Sequence, residues 1–324
     1  MSLNPALSPD VLWGVTLAFI AMTVYGACMV TVASAAKGIS SGPGSLLAAA
    51  AGVPIGIVIV LMQWAGGHEI SVPSHWSIVS FALAGICSTY VGRWLVFKSI
   101  ELIGPSGSAG LQSISPLITV VFGWIFLGEV IGTIGLIGIT LGIAGLVAMS
   151  MGIGRSQRKA ALKAGTVRTG PRRDFVSASL LIGVGSAAAY SLSHVFRASG
   201  VRQWNEALVG ALIGAAAGLL VLALTSHRQM PEYLRQARAN PKAAHVYLGV
   251  GSLQFLAQAL VIASMKYIPA SMAALISMCT PLVVLPVSYF ALRNDEHVSW
   301  VTVLGIAITL TGITLVVLYG APAS

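Results

Sequence analysis

Ten uninterrupted apolar runs, each long enough to cross a lipid bilayer as a helix, leave this chain very few possible folds. They occupy residues 11–33, 43–64, 76–97, 105–127, 131–151, 175–196, 205–226, 243–264, 269–291 and 298–319. A transmembrane helix needs about 17–25 apolar residues, whereas a transmembrane barrel would alternate apolar and polar residues. Only 8% of the residues are charged, against about 25% in soluble domains. The sequence therefore predicts an all-α polytopic membrane protein with ten transmembrane helices.

Motifs that carry enzyme chemistry are missing from the sequence. It contains no Gly-rich phosphate loop, no His-Glu-x-x-His and no convincing Ser–His–acid arrangement. The three cysteines, Cys28, Cys87 and Cys279, all fall inside apolar runs and lack the spacing of a metal site. We therefore expect no enzymatic activity, no metal and no cofactor, and we interpret the cysteines as small packed residues.

Positive charge is concentrated on one side of the predicted membrane. Of the 18 Lys and Arg residues, 14 fall in loops after odd-numbered runs, and Arg93 lies inside the third run. The loops after even-numbered runs hold Arg197, Arg202 and Lys266. Loops rich in Lys and Arg stay in the cytoplasm. We expect a multi-pass protein of a bacterial inner membrane, with a cytoplasmic central loop and external termini, and no nucleic-acid partner.

The chain repeats itself at an offset of 165 residues, which becomes 167 after a two-residue insertion. The matched pairs are Tyr25 with Tyr190, Pro116 with Pro281, Glu129 with Glu296, Gly138 with Gly305, and Gly145 with Gly312. We predict a first five-helix repeat over residues 1–151, a basic linker over 152–173 and a second repeat over 174–324. Because five is an odd number, the second repeat is inverted, as in transporters with a midplane site between the halves.

Several short motifs give the chain a family resemblance. They are Tyr25–Gly26, Ser115-Pro116-Leu117, Thr280-Pro281-Leu282, "LGE" ending at Glu129, and the Gly-x6-Gly pairs that start at Gly138 and Gly305. Together they resemble the EamA type of the drug/metabolite transporter superfamily, with two EamA repeats over nearly the whole chain. The ninth run departs from this pattern by ending in "LRNDE", and the second run lacks the usual basic residue. Family members are commonly drawn with cytoplasmic termini, opposite to the orientation that the charge bias predicts.

Pro116 and Pro281 lie inside the fourth and ninth runs. A proline inside a helix has no N–H to donate, and its ring clashes with the carbonyl four residues earlier, here that of Gln112. We expect a kink at both prolines, which either lines a shared cavity or serves packing alone. Gln112, Ser113 and Ser115 are candidates to satisfy the freed backbone groups.

Small residues predict how the fifth and tenth runs are used. Gly135, Gly138, Gly142 and Gly145 fall on or near one helical face, and small residues at this spacing allow close helix packing. The family resemblance implies that the fifth and tenth runs meet as an internal scaffold away from the solute. Glu129 precedes the fifth run, where a carboxylate is expected to stabilise the N-terminus of the following helix.

Polar residues inside apolar runs are the candidates for solute binding. In the third run, Tyr90, Arg93, Trp94 and Phe97 recur at helical spacing and are predicted to share one face. Arg93 has a second interpretation, in which it snorkels to the membrane surface; His194 has one as a packed or interfacial residue. The other candidates are Tyr25, Gln112, Ser113, Tyr190, His194, Gln254 and Gln258.

The predicted function is secondary transport by alternating access. No Asp or Glu lies in the middle of a run, which argues against cation–proton antiport of the kind used by small multidrug-resistance relatives. We expect export or exchange of amino acids or related small neutral or anionic metabolites, by a monomer or homodimer in contact with membrane lipids. The alternatives are a flippase component for a lipid carrier or lipid-linked metabolite, and a non-transporting sensor.

Overall fold

The computed structural model describes residues 8–35, 38–96, 98–99, 111–112, 114–163, 174–280, 282–283 and 300–319 of the 324-residue chain. All regular secondary structure within these ranges is helical. The helices are α1 (Pro9–Ala35), α2 (Ser41–Ala65), α3 (His75–Gly85), α4 (Ser115–Leu127), α5 (Thr133–Lys163), α6 (Asp174–Gln203), α7 (Ala207–Thr225), α8 (Met230–Ala239), α9 (Pro241–Ser264), α10 (Ala270–Met278) and α11 (Trp300–Tyr319). A π-helical segment (Ile86–Gly92) continues α3, and a 3₁₀ turn (His227–Gln229) precedes α8.

Within the described ranges, five helical stretches are long and apolar enough to cross a membrane. They are Pro9–Val32, Gly42–Ala65, His75–Val96, Ala207–Thr225 and Pro241–Ser264. Shorter apolar helices cover Ser115–Leu127, Thr133–Ala148 and Val303–Tyr319. The predicted all-helical membrane class is confirmed, and the count of ten spans stays a prediction.

The centre of the molecule is built around α6 and α10. Helix α6 contacts α3 with its π-helical continuation, α4 and α10, while α1 and α2 both pack on α9. Residues Ala270 to Ser277 of α10 are all buried. The side chains on α6 that face these neighbours are therefore removed from the outer surface of the bundle.

Helices α5 and α11 pack through their glycines, as predicted. A Cβ on Gly138 would lie 2.9 Å from the Gly312 carbonyl oxygen, and a Cβ on Gly145 would lie 2.7 Å from that of Gly305. Real Cβ atoms essentially never approach so closely. The backbones of α5 and α11 thus touch at a distance that only glycine permits.

The helix that was expected to bend at Pro116 is interrupted just before it instead: Leu111 and Gln112 are helical, Ile114 lies in a turn, and a new helix follows. Helix α4 starts at Ser115 and has Pro116 in its first turn, where a missing N–H removes no helical hydrogen bond. The Ser115 carbonyl accepts from the Ser191 hydroxyl of α6, at 2.8 Å. This hydrogen bond joins the first residue of α4 directly to α6. Ser113 and Pro281 lie outside the described residues.

Candidate functional site

A stripe of polar side chains runs along α6. Ser186, Tyr190, Ser193 and Arg197 follow one another at spacings of four, three and four residues, and His194 lies beside them. Helical residues three or four apart share a face. All of these side chains except the half-buried Tyr190 are buried, so the stripe points into the bundle.

Arg197 places a positive charge inside the bundle. Its side chain is 6% exposed, and Nη2 donates to the Ser88 hydroxyl at 3.0 Å. Among the described residues, Arg197 Nε and the neighbouring His194 Nδ1 are buried without a hydrogen-bond partner. The ion pairs found among the same residues do not include Arg197. The site therefore has a cation with an unused donor and no countercharge from the described chain.

Two tyrosines lie near this cation. Tyr25 of α1 and Tyr190 of α6 both lie within electrostatic range of the Arg197 guanidinium. The Tyr190 ring packs against Gly92, where a Cβ would lie 2.9 Å from the ring carbon Cε2. Because Gly92 has no side chain, the Tyr190 ring can lie directly against the backbone there.

The π-helical continuation of α3 supplies the partner of Arg197. Ser88 lies within it, and its hydroxyl in turn donates to the Ala84 carbonyl at 2.9 Å. A second donor, Ser193 of α6, reaches the same carbonyl at 2.9 Å. Short π-helical insertions in α-helices are frequent at functional sites, and here the insertion sits directly against the polar stripe.

The π-helical segment also changes which residues of α3 share a face. We predicted that Tyr90, Arg93, Trp94 and Phe97 would share one, by α-helical spacing. Tyr90 lies in the π-helical segment and is half-buried, whereas Trp94 is 60% exposed. Trp94 is therefore not part of the buried cluster. The side chain of Phe97 lies outside the described residues.

Arg93 is half-buried and reaches the beginning of α2. Its Nη1 donates to the Ser45 carbonyl at 3.3 Å. The guanidinium also lies within electrostatic range of Tyr25 and Tyr190. Two cations, Arg93 and Arg197, therefore act on the same pair of tyrosines.

The remaining predicted residues take different places. Gln112 is half-buried and its amide nitrogen donates to the Ser186 hydroxyl at the far end of the polar stripe. Gln254 and Gln258 are half-buried on α9, which packs on α1 and α2. Ser113 is outside the described residues. The structure thus brings Tyr25, Tyr190 and His194 to Arg197.

The sequence interpretation missed Arg197 by one residue. The sixth apolar run was ended at residue 196, which assigned Arg197 to an external loop, but α6 continues to Gln203. This correction leaves two Lys and Arg residues, Arg202 and Lys266, in the loops after even-numbered runs. The regular recurrence of polar residues from Ser186 onward, continuing beyond the apparent end of the run, is the signal that identifies Arg197.

At the end of the bundle where α6 finishes, Glu129 joins the two sequence repeats. Its Oε1 accepts from the Ala270 N–H at 2.9 Å and pairs with Arg202 Nη2. Ala270 is the first residue of α10. Glu129 therefore stabilises the N-terminus of a helix in the other repeat, rather than the helix that follows it, as we had expected.

A second carboxylate makes the reciprocal connection at the same end. Glu206 of the second repeat lies 3.1 Å from His68 Nε2 of the first. Nearby, Lys266 Nζ donates to the Asn205 carbonyl at 2.8 Å. Burial lowers the pKa of Lys266, and the Glu206 carboxylate partly opposes this shift. The loops at this end are thus tied across the repeats.

Metal-binding side chains are not grouped in the described part of the chain: no three His, Cys, Asp or Glu residues there could hold an ion. Cys28, Cys87 and Cys279 are free thiols. The chemistry of the polar stripe is therefore that of a guanidinium, phenol and serine hydroxyls and an imidazole.

Comparison with known proteins gives two findings. The family model described as "EamA-like transporter family" matches residues 12–151 and 177–318. A solved structure, described only as the crystal structure of a protein, has a TM-score of 0.66 with 17% sequence identity. The similarity covers 93% of this chain and 97% of that one, and shows a shared fold. Among curated proteins there is no match.

Proposed function

Because this chain belongs to the EamA-like transporter family of the drug/metabolite transporter superfamily, we propose that it carries small metabolites with a carboxylate or another anionic group. Amino acids are the leading candidates, with export or exchange as the direction. The family assignment makes the chain a multi-pass membrane transporter and not an enzyme. The solute class rests on the site.

The buried Arg197 guanidinium is the observation that carries the proposal. The ion pairs among the described residues do not include Arg197, so no described carboxylate neutralises its charge. A guanidinium offers a planar fork that matches a carboxylate with two parallel hydrogen bonds. A bound solute carboxylate would satisfy Arg197 Nε and supply the missing negative charge.

The groups around Arg197 suit a small polar solute. Tyr25 and Tyr190 can donate hydrogen bonds or pack against the solute, and His194 Nδ1 is unpaired among the described residues. Arg93 provides a second positive charge near the tyrosines. We propose Gln112, Gln254 and Gln258 as further uncharged polar contacts. Tyr90 and Ser113 complete the set of proposed residues, and Trp94, which is 60% exposed, is left out of it.

The architecture that we infer is ten transmembrane helices in two inverted repeats, joined by the basic linker 152–173. The paired Gly-x6-Gly contact of α5 and α11 supports this division, because it joins the last helix of each repeat. Alternating access would then come from the repeats rocking around Arg197. The predicted inner-membrane location and cytoplasmic linker belong to the same proposal, as does a monomer or homodimer.

A thermal-shift screen of the purified protein tests the solute class. Amino acids and organic acids are compared with their amides, which lack the carboxylate charge. We expect carboxylates to raise the melting temperature of the wild type and to lose this effect in Arg197→Gln. The matched control Arg228→Gln removes one exposed positive charge and should keep the response. Equal shifts with acids and amides would contradict the proposal, and stabilisation by lipid-linked metabolites alone would favour a flippase.

A further inference from the structure

We propose that a groove beside α8 binds an anionic phospholipid at the membrane surface. The groove is lined by His227, Met230, Pro231, Leu234, Arg235 and Arg238, has a volume of about 520 Å³ and is called the α8 groove below. It lies outside the Arg197 site, and the proposal is independent of which solute the protein carries.

Helix α8 is held across the end of the bundle. It connects the membrane-spanning α7 and α9 and contacts α2 and α9. The Ser40 hydroxyl donates to Gln236 Oε1 at 2.9 Å. Tyr233 packs over Gly42, where a Cβ would lie 2.8 Å from the phenol oxygen. Because one face of α8 is anchored in this way, the α8 groove is a fixed feature of the opposite side.

The exposed side of α8 combines charge with apolar surface. Leu234 is 47% exposed, and the side chain of Arg235 is 78% exposed. Residues 227–242 contain four Lys and Arg and one Glu, a net charge of +3 with His227 neutral. The Glu232 carboxylate pairs with Arg235 Nη2 at 2.8 Å, and hydrogen bonds from Gln236 and Arg235 lower the pKa of Glu232. A basic amphipathic helix of this kind favours an anionic membrane surface.

Continuity with the lipid-facing surface identifies the occupant as a lipid rather than a free anion. Leu220 and Leu224 of α7 are 60% and 63% exposed and lie one helical turn apart. His227 follows them and donates from Nδ1 to the Leu224 carbonyl at 2.8 Å. An apolar strip therefore runs from the membrane-spanning surface of α7 to the α8 groove. A phospholipid fits both parts, with its acyl chain along the leucines and its phosphate at Arg235 and Arg238.

The test measures stabilisation of the full-length protein in detergent by added phosphatidylglycerol, with phosphatidylcholine as the neutral lipid. The groove variant is Arg235→Gln/Arg238→Gln. The matched control, Arg228→Gln/Lys242→Gln, removes the same charge from exposed positions that do not line the groove. The variant Arg235→Lys/Arg238→Lys changes the same two side chains but keeps their charge, so it shows whether substitutions at these positions by themselves disturb the folding of α8.

Phosphatidylglycerol should raise the melting temperature of the wild type and the control more than phosphatidylcholine does. To reach the same rise in melting temperature, the groove variant should need about fivefold more phosphatidylglycerol for each arginine lost. The lysine variant should respond nearly as the wild type does. If the stabilisation by phosphatidylglycerol weakens equally in the groove variant and in the control, the proposal is overturned. The same stabilisation by inorganic phosphate would also overturn it, as would a protein dimer that dissociates only in the groove variant, which would assign the groove to a second copy.

Discussion

Arg197 combines two features that stability alone does not explain. A charged side chain costs about 2.5–3.5 kcal/mol at the centre of a membrane helix and less towards the end, where Arg197 lies six residues before Gln203. A buried donor without a partner costs about 1–3 kcal/mol more. Arg197 is buried, and its Nε has no partner among the described residues. A solute that binds there offsets both costs. The resting structure is therefore prepared for an anionic group at this point.

Arg93 should contribute less to solute binding than Arg197, because it is half-buried and already donates to the Ser45 carbonyl. Arg93→Gln should weaken the apparent affinity for carboxylate solutes by less than about tenfold, below the about 10- to 100-fold of a lost charge-assisted hydrogen bond. Arg93→Lys should restore it in part, since lysine lacks the planar fork.

The apparent affinity of the Arg93 variants is measured from the concentration dependence of uptake or efflux, with expression levels matched. Full replacement by lysine together with no effect of Arg93→Gln would mean that Arg93 only snorkels. In addition to Arg197, the remaining candidate residues would then be Tyr25, Tyr190, Gln112 and Gln258.

The sequence was sufficient to find part of this cluster, for a physical reason. Polar side chains are rare inside apolar runs, so Tyr25, Tyr190 and His194 could be selected without a structure. Arg197 was missed because the end of the apolar run was taken as the end of the helix, and where a transmembrane helix ends depends on what surrounds it. Burial against α3 and its continuation lets α6 keep a charged residue six positions before its last residue, Gln203.

At the scale of single elements, the sequence predicted which helices form better than how they begin, bend and turn. Pro116 was expected to kink a helix and begins α4. The π-helical register of Ile86–Gly92 depends on hydrogen bonds and neighbours that no local pattern reveals. It changes how Tyr90, inside the segment, is placed relative to Arg93 and Trp94, which follow it. The glycine faces of α5 and α11 were predictable from their spacing, because close helix packing requires small residues. That these two helices pair with each other was implied by the family resemblance.

The α5–α11 contact gives a sharp stability prediction. Gly138→Leu should lower the yield of folded protein in detergent, because even a Cβ at Gly138 would overlap the Gly312 carbonyl oxygen. Gly249→Leu is the matched control, since a Cβ there meets nothing within 4 Å. Size-exclusion chromatography of both variants measures the yield. Similar yields for the two variants would mean that the glycine contact is not needed for folding.

At the scale of the whole molecule, the repeats are tied together at one end by Glu129. Glu129→Gln keeps an acceptor for the Ala270 N–H but loses the charge that pairs with Arg202. The melting temperature in detergent should fall, by the equivalent of about 1–3 kcal/mol for a charge-assisted bond at a buried carboxylate. Glu69→Gln changes an exposed carboxylate in the loop that joins α2 to α3 and should leave the melting temperature unchanged. If both variants melt alike, Glu129 does not hold the repeats together.

The orientation of the whole molecule rests on charge. A reporter fused after residue 165 should behave as cytoplasmic, because the linker 152–173 carries seven Lys and Arg residues. A fusion at the C-terminus should behave as external. The reverse pattern would place both termini in the cytoplasm, the orientation commonly drawn for the family.

Transport by purified protein in liposomes tests the Arg197 site most directly. A labelled carboxylate solute that stabilises the wild type is compared with its amide, in the wild type, Arg197→Gln, Arg197→Lys and the exposed control Arg228→Gln. The wild type and the control should prefer the carboxylate. Arg197→Gln should lose that preference, with affinity reduced by about 10- to 100-fold, and Arg197→Lys should recover part of it. Undiminished, carboxylate-selective transport by Arg197→Gln would contradict the assignment of Arg197 as the anion-binding residue.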